Sequence, residues 1–135
     1  MGFLELNYLA ILVSAFIAFF VGWMWYGPLF GKAWMKLVKI NEKEAKESML
    51  GSIIGGLIAT LIMATAVAYL IWALEVTVWY FGLKVGLLAG IGFVATYAIN
   101  DVIYEKKPFP LFLIKVGYSL VALMTIGAIY TLWVS

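Results

Sequence analysis

The sequence predicts an all-α membrane protein, an antiparallel bundle of four transmembrane helices forming a single domain over residues 1–135. Three observations predict it. Hydrophobic residues make up 66% of the chain and charged residues only 12%, about half the charge of a soluble domain. The apolar residues fall into four runs, each near the roughly 20 residues that cross a bilayer as a helix. The lysines between those runs are heavily biased to one side.

The first run covers about 6–26, with only Asn7 and Ser14 as polar interruptions. Gly27-Pro28 is expected to stop it, because proline disfavours helix at the residue before it. No lysine precedes the run, and it ends in Trp23-Met24-Trp25-Tyr26 rather than in small residues. It therefore reads as a retained helix and not a cleaved signal peptide. The second run, about 49–74, contains Ser52, Thr60 and Thr65. The third, about 78–104, is the least pure, with Lys84 near one end and Asn100-Asp101 near the other. The fourth, about 109–134, is interrupted by Lys115.

Orientation follows from the lysines, which favour the cytoplasmic side. The first loop carries Lys32, Lys36, Lys39, Lys43 and Lys46, and the third carries Lys106 and Lys107. The opposite side has only Lys84, near the second loop. Loops 27–48 and 105–108 are thus expected in the cytoplasm and both termini outside. The tryptophans agree, since aromatic belts mark bilayer interfaces. Trp23, Trp25 and Trp34 cluster at the proposed inner face, and Trp72, Trp79 and Trp133 at the outer.

The first loop is the only polar stretch of any size. Gly31 to Ile40 reads as a short amphipathic helix, with Trp34, Leu37 and Val38 on one face and Lys32, Lys36 and Lys39 largely on the other. Such a helix lies in a membrane interface, where each lysine near anionic headgroups contributes on the order of 1 kcal/mol. Asn41 followed by Glu44 resembles a capping box. A helix is expected from Glu42 running without a break into the second span. The loop would serve as an orientation anchor or as a docking surface for acidic lipid or a partner, and anchoring is the simpler account.

Helices in lipid associate where small residues let backbones approach. Ser52, Gly56, Thr60, Ala64 and Ala68 recur every fourth position in the second span, and Gly82, Gly86 and Gly90 do so in the third. The short connection at Glu75–Trp79 predicts that these two stripes pack on each other, although either would also suit a homo-oligomer.

Ionisable residues at depth in a membrane are functional candidates. Asp101 lies roughly 6 Å inside Glu105, and Lys115 about 9 Å inside Phe109, at the rise of a helix. A tight loop joins their spans, so the two are expected to pair. Thr96, Tyr97, Asn100 and Tyr118 are expected to complete a polar cluster around them. The cluster is either an ion- or proton-coupled site or a structural pair whose lysine snorkels to the surface.

The residue types present exclude much chemistry. Without cysteine, there is no disulfide, no thiolate metal site and no thiol nucleophile, and without histidine the commonest acid–base residue and metal ligand is missing. Glycines of the 51–56 segment lie inside an apolar helix and follow no strand, so they are not a phosphate loop. No metal, cofactor or nucleic acid is implied.

The segment Asn7-Tyr8-Leu9-Ala10-Ile11-Leu12-Val13 leads to Trp25-Tyr26-Gly27-Pro28-Leu29-Phe30-Gly31-Lys32-Ala33-Trp34-Met35. With Gly92-Phe93-Val94, Asn100-Asp101, Gly117-Tyr118 and Gly127, it resembles the membrane family catalogued as domain of unknown function 1761. The resemblance spans nearly the whole chain and implies a small four-helix protein of a prokaryotic cytoplasmic membrane. It implies no activity. It draws attention to Trp25–Trp34, where a cation–π contact of Lys32 with Trp34 or Trp25 would be worth about 0.5–2 kcal/mol.

Two functions remain in view. One is a non-catalytic protein that binds lipid, anionic headgroups at the first loop above all, or a partner protein. The other is a homo-oligomeric small transporter or channel using the polar cluster around Asp101 and Lys115. An enzyme is the weakest reading, because Asp101, Glu105, tyrosines and lysines are the only catalysts available.

Overall fold

A computed structural model describes residues 2–135. It is helical, with no strand among the described residues. Four helices are long and apolar enough to cross a membrane: Tyr8–Leu29, Met49–Ala73, Trp79–Ile103 and Phe109–Val134. In chain order, the elements are α1 (Tyr8–Met24), α2 (Gly31–Val38), α3 (Glu42–Glu47), α4 (Met49–Ala73), α5 (Trp79–Ala89), α6 (Thr96–Ile103) and α7 (Phe109–Val134). A π-helical turn, Trp25–Leu29, extends α1, and another, Gly90–Ala95, joins α5 to α6.

The start of α1 is set by Asn7. Its side chain accepts the Ala10 N–H at 3.0 Å, the N-cap arrangement that satisfies one of the free donors of a first turn. The end departs from expectation, because Gly27-Pro28 does not stop the helix. Proline has no N–H, and its ring collides with the carbonyl one turn back. The chain accommodates both by widening the turn, and the Phe30 N–H donates to the Trp25 carbonyl five residues back at 2.8 Å.

The first loop holds two short helices. α2 ends at Val38, two residues earlier than expected, and Lys39 after it has a left-handed backbone with φ 61°. The Ile40 N–H then returns to the Met35 carbonyl at 3.1 Å, closing the helix as glycine usually does. Asn41 caps α3 by accepting the Glu44 N–H at 2.8 Å. The expected continuous helix into α4 is interrupted at Ser48. Its hydroxyl donates to the Glu44 carbonyl at 3.1 Å, a back-bond that bends helices. α4 ends in the same manner as α2, with Glu75 at φ 54° and the Val76 N–H on the Ile71 carbonyl at 3.0 Å.

Three of the four long helices build the core. Ala10, Ile11, Ala15 and Ala18 of α1 meet Ala64, Val67, Ala68 and Ile71 of α4 and Ala122, Leu123, Ile126 and Tyr130 of α7. The alanines let the backbones come close, and the isoleucines fill the space between them. Buried hydroxyls are satisfied by their own helices: Ser14 donates to Ile11, Thr60 to Gly56 and Thr131 to Gly127. No buried side-chain donor or acceptor lacks a partner among the described residues.

The third long helix sits differently. Its glycines pack on α7, not on the small residues of α4 as the short Glu75–Trp79 connection had suggested. A Cβ at Gly82 would come within 2.3 Å of the Gly127 carbonyl, and one at Gly86 within 2.2 Å of the Leu123 carbonyl. Gly90 faces the Leu120 side chain. Of the α4 stripe, Ala64 and Ala68 lie in the shared core with α1 and α7, Gly56 faces Phe19 of α1, and Ser52 is exposed. The reason is that α7 reaches both α4 and α5 and occupies the ground between them.

Candidate functional site: the basic end of the bundle

The turn at Trp25–Leu29 anchors one end of the bundle. The Trp25 indole N–H donates to the Ile114 carbonyl of α7 at 2.9 Å. Its ring lies so close to Gly117 that a Cβ there would stand 2.9 Å from it. The Tyr26 ring meets Tyr118 at 5.7 Å and Trp34 at 5.5 Å between centroids, both edge-on. The Tyr118 hydroxyl donates to the Ala18 carbonyl at 3.2 Å. Gly31 is required by proximity, since a Cβ would sit 2.6 Å from the Tyr26 carbonyl. An aromatic joint thus fastens α2 to α1 and α7.

That fastening decides which way α2 faces. Trp34, Leu37 and Val38 are half-buried, whereas Lys32, Lys36 and Lys39 are exposed. Lys43 and Lys46 on α3 and Lys106 and Lys107 in the 104–108 loop are exposed as well. Trp25 lies beside Ile114, near the start of α7, so both loops occupy the same end of the molecule. Seven exposed ammonium groups therefore share it, with three glutamates of α3 interspersed.

Asp101 and Lys115 meet, with Lys115 Nζ 3.4 Å from Asp101 Oδ2. Both are open to the surroundings, the aspartate side chain at 31% and the lysine at 45%. Lys107 donates its main-chain N–H to the Asp101 carbonyl at 3.0 Å, and its ammonium lies 3.7 Å from Glu105 Oε2. The enclosed space beside the pair, lined by Ala98, Val102, Pro108 and Leu111, is about 10 Å³, room for a single water.

Among the described residues, none of the others expected around this pair hydrogen-bonds to it through its side chain. The Thr96 hydroxyl donates to the Gly92 carbonyl of its own helix at 2.7 Å. Tyr97 is 80% exposed, and Asn100 is exposed as well. Tyr118 belongs to the aromatic joint. Lys32 makes no cation–π contact among the described residues. That interaction is made by Lys84, 5.1 Å from the centre of the Phe81 ring and 6.0 Å from Tyr80.

The opposite end is tied by contacts the sequence reading did not foresee. The Trp72 indole N–H donates to Glu5 Oε2 at 2.8 Å, and the Asn7 main-chain N–H to the Tyr130 hydroxyl at 3.1 Å. Asn7 had a readable signal, a capping residue immediately ahead of an apolar run. Tyr130 had none. No group of three acidic residues is arranged to hold a metal among the described residues.

These features define a class: an all-helical protein with four membrane-length apolar helices and one lysine-rich end. The chain belongs to the family described as protein of unknown function (DUF1761), whose model matches residues 9–131. No curated protein and no solved structure matches it.

Proposed function

We propose that the protein is a multi-pass, non-catalytic protein of a prokaryotic cytoplasmic membrane, an antiparallel bundle whose lysine-rich end binds anionic lipid headgroups. The reading rests on one observation: the first-loop lysines are all exposed while Trp34, Leu37 and Val38 among them are half-buried. A surface of that kind lies at a headgroup layer. The order of contacts along α5 and α7, with Gly82 at Gly127 and Gly90 at Leu120, supports antiparallel packing. The lysine bias supports loops 27–48 and 105–108 in the cytoplasm and termini outside.

The chain has no cysteine, so single cysteines report topology cleanly. Lys43→Cys is expected to resist an impermeant maleimide in intact cells, and Ser135→Cys to react. The reverse pattern would overturn the orientation. For the lipid, native mass spectrometry compares the wild type with a variant carrying glutamine at positions 32, 36, 39, 43 and 46. The variant is expected to retain several-fold less phosphatidylglycerol from mixed nanodiscs. Equal retention would defeat the reading. A transport pathway around Asp101 and Lys115 has less support, because the pair is exposed and encloses room for only one water.

A further inference from the structure

A groove lies under the 74–78 connection, bounded by that loop and one face of α5, with a volume of about 480 Å³. It falls in the range of small-molecule sites, about 300–1,000 Å³. Phe81, Lys84, Val85 and Leu88 line it at the i, i+3, i+4, i+7 spacing of one helix face. The glycines on the other side of α5 are taken up by α7, so this face has no protein partner among the described residues, and Leu88 is 71% exposed.

The groove is layered. The Lys84 ammonium lies over the Phe81 and Tyr80 rings, which precede it in the helix, so it is drawn back toward the loop. Glu75 lines the same groove from the loop, at the left-handed residue that ends α4. Val85 and Leu88 continue away from this charged rim along α5. A cation and an anion sit at the mouth, and apolar walls lie below.

We propose that this groove binds one phospholipid with a primary-amine headgroup. Lys84 takes the phosphate, Glu75 accepts hydrogen bonds from the ammonium, and an acyl chain runs along Val85 and Leu88. The charges at the mouth complement a headgroup carrying both signs, whereas at the other end seven loop lysines outnumber four loop glutamates. Glu75 gives the selectivity, because a quaternary choline has no N–H to donate. The inference rests on the proposed membrane location but uses residues at the end opposite to the anionic-lipid surface.

The test is native mass spectrometry of protein released from nanodiscs containing equal phosphatidylethanolamine, phosphatidylcholine and phosphatidylglycerol. The wild type is expected to keep one phosphatidylethanolamine at least fivefold over phosphatidylcholine. Lys84→Met is expected to abolish retention and Glu75→Gln to erase the preference. Leu88→Trp fills the groove without touching a charge and is expected to lose the lipid with unchanged circular dichroism. Equal retention of the two lipids by the wild type, or retention that survives both Lys84→Met and Leu88→Trp, overturns the site. Loss of phosphatidylglycerol alone from the first-loop variant speaks to the other surface and leaves this preference in place.

Discussion

Trp25 and Ile114 are joined by a hydrogen bond of 2.9 Å from an indole N–H to a main-chain carbonyl, 89 residues apart in sequence. The bond couples the widened turn after α1 to α7. Trp25→Phe keeps an aromatic ring but removes the donor. A loss of about 1 kcal/mol is expected, measured by thermal unfolding in detergent. Gly117→Ala should also destabilise the wild type, because its Cβ would stand 2.9 Å from the Trp25 ring. In the Trp25→Phe background the smaller ring leaves more room. The two effects are therefore expected to be non-additive, as for residues in contact. Simple addition would show that the ring does not occupy that position.

Close backbone approach makes a sharper contrast between glycines. Gly86→Ala would place a Cβ 2.2 Å from the Leu123 carbonyl, where no side chain can swing aside. A cost of about 1–3 kcal/mol or more is expected, in line with overpacking. Gly51→Ala meets nothing within 4 Å, and alanine favours helix over glycine by about 1 kcal/mol. That variant is expected to be neutral or more stable. Equal destabilisation by both would contradict the packing of α5 on α7.

Asp101 and Lys115 offer a test of magnitude. Both are exposed, at 31% and 45%, and exposed ion pairs are worth about 0–1 kcal/mol. A double-mutant cycle with Asp101→Asn and Lys115→Met is expected to give a coupling within that range, shrinking as salt is added. A coupling of several kcal/mol would mean that the pair is shielded in the native environment.

Lys39 stands where a helix closure usually has glycine, at φ 61°. The left-handed conformation costs a non-glycine residue roughly 1–2 kcal/mol, partly offset by the greater freedom glycine loses on folding, about 0.5–1 kcal/mol. Lys39→Gly is therefore expected to be neutral or slightly stabilising. Lys39→Val, branched at Cβ, is expected to be clearly destabilising, and a scan of melting temperatures distinguishes them.

The long helices were legible because length and hydropathy dictate them. The expected 49–74 and 109–134 correspond to Met49–Ala73 and Phe109–Val134. The Asp101–Lys115 contact was legible too, since a short loop brings the two charges, one on each helix, to the same end. The pairing of the glycine stripe was not. Periodicity shows that Gly82 and Gly86 share a face but carries no label for the helix that covers it. A short loop fixes only where α4 ends and α5 begins, leaving their lengths free to diverge around α7. Pro28 misled for a local reason: the rule that proline ends an α-helix is silent about a turn wide enough to admit it. The Trp25 bond was invisible because its acceptor is a backbone carbonyl, which every residue has.

The placement of α5 on α7 also bears on the order of synthesis. A chain emerges from its N-terminus, so α1 and α4 can find each other as soon as α4 is complete. The third long helix then appears with few contacts to either, and its glycine face stays uncovered until the last helix arrives. α7 is thus the keystone of assembly. A ribosome that stalls before residue 109 leaves behind a paired hairpin and a stray helix, a product suited to recognition by quality-control proteases.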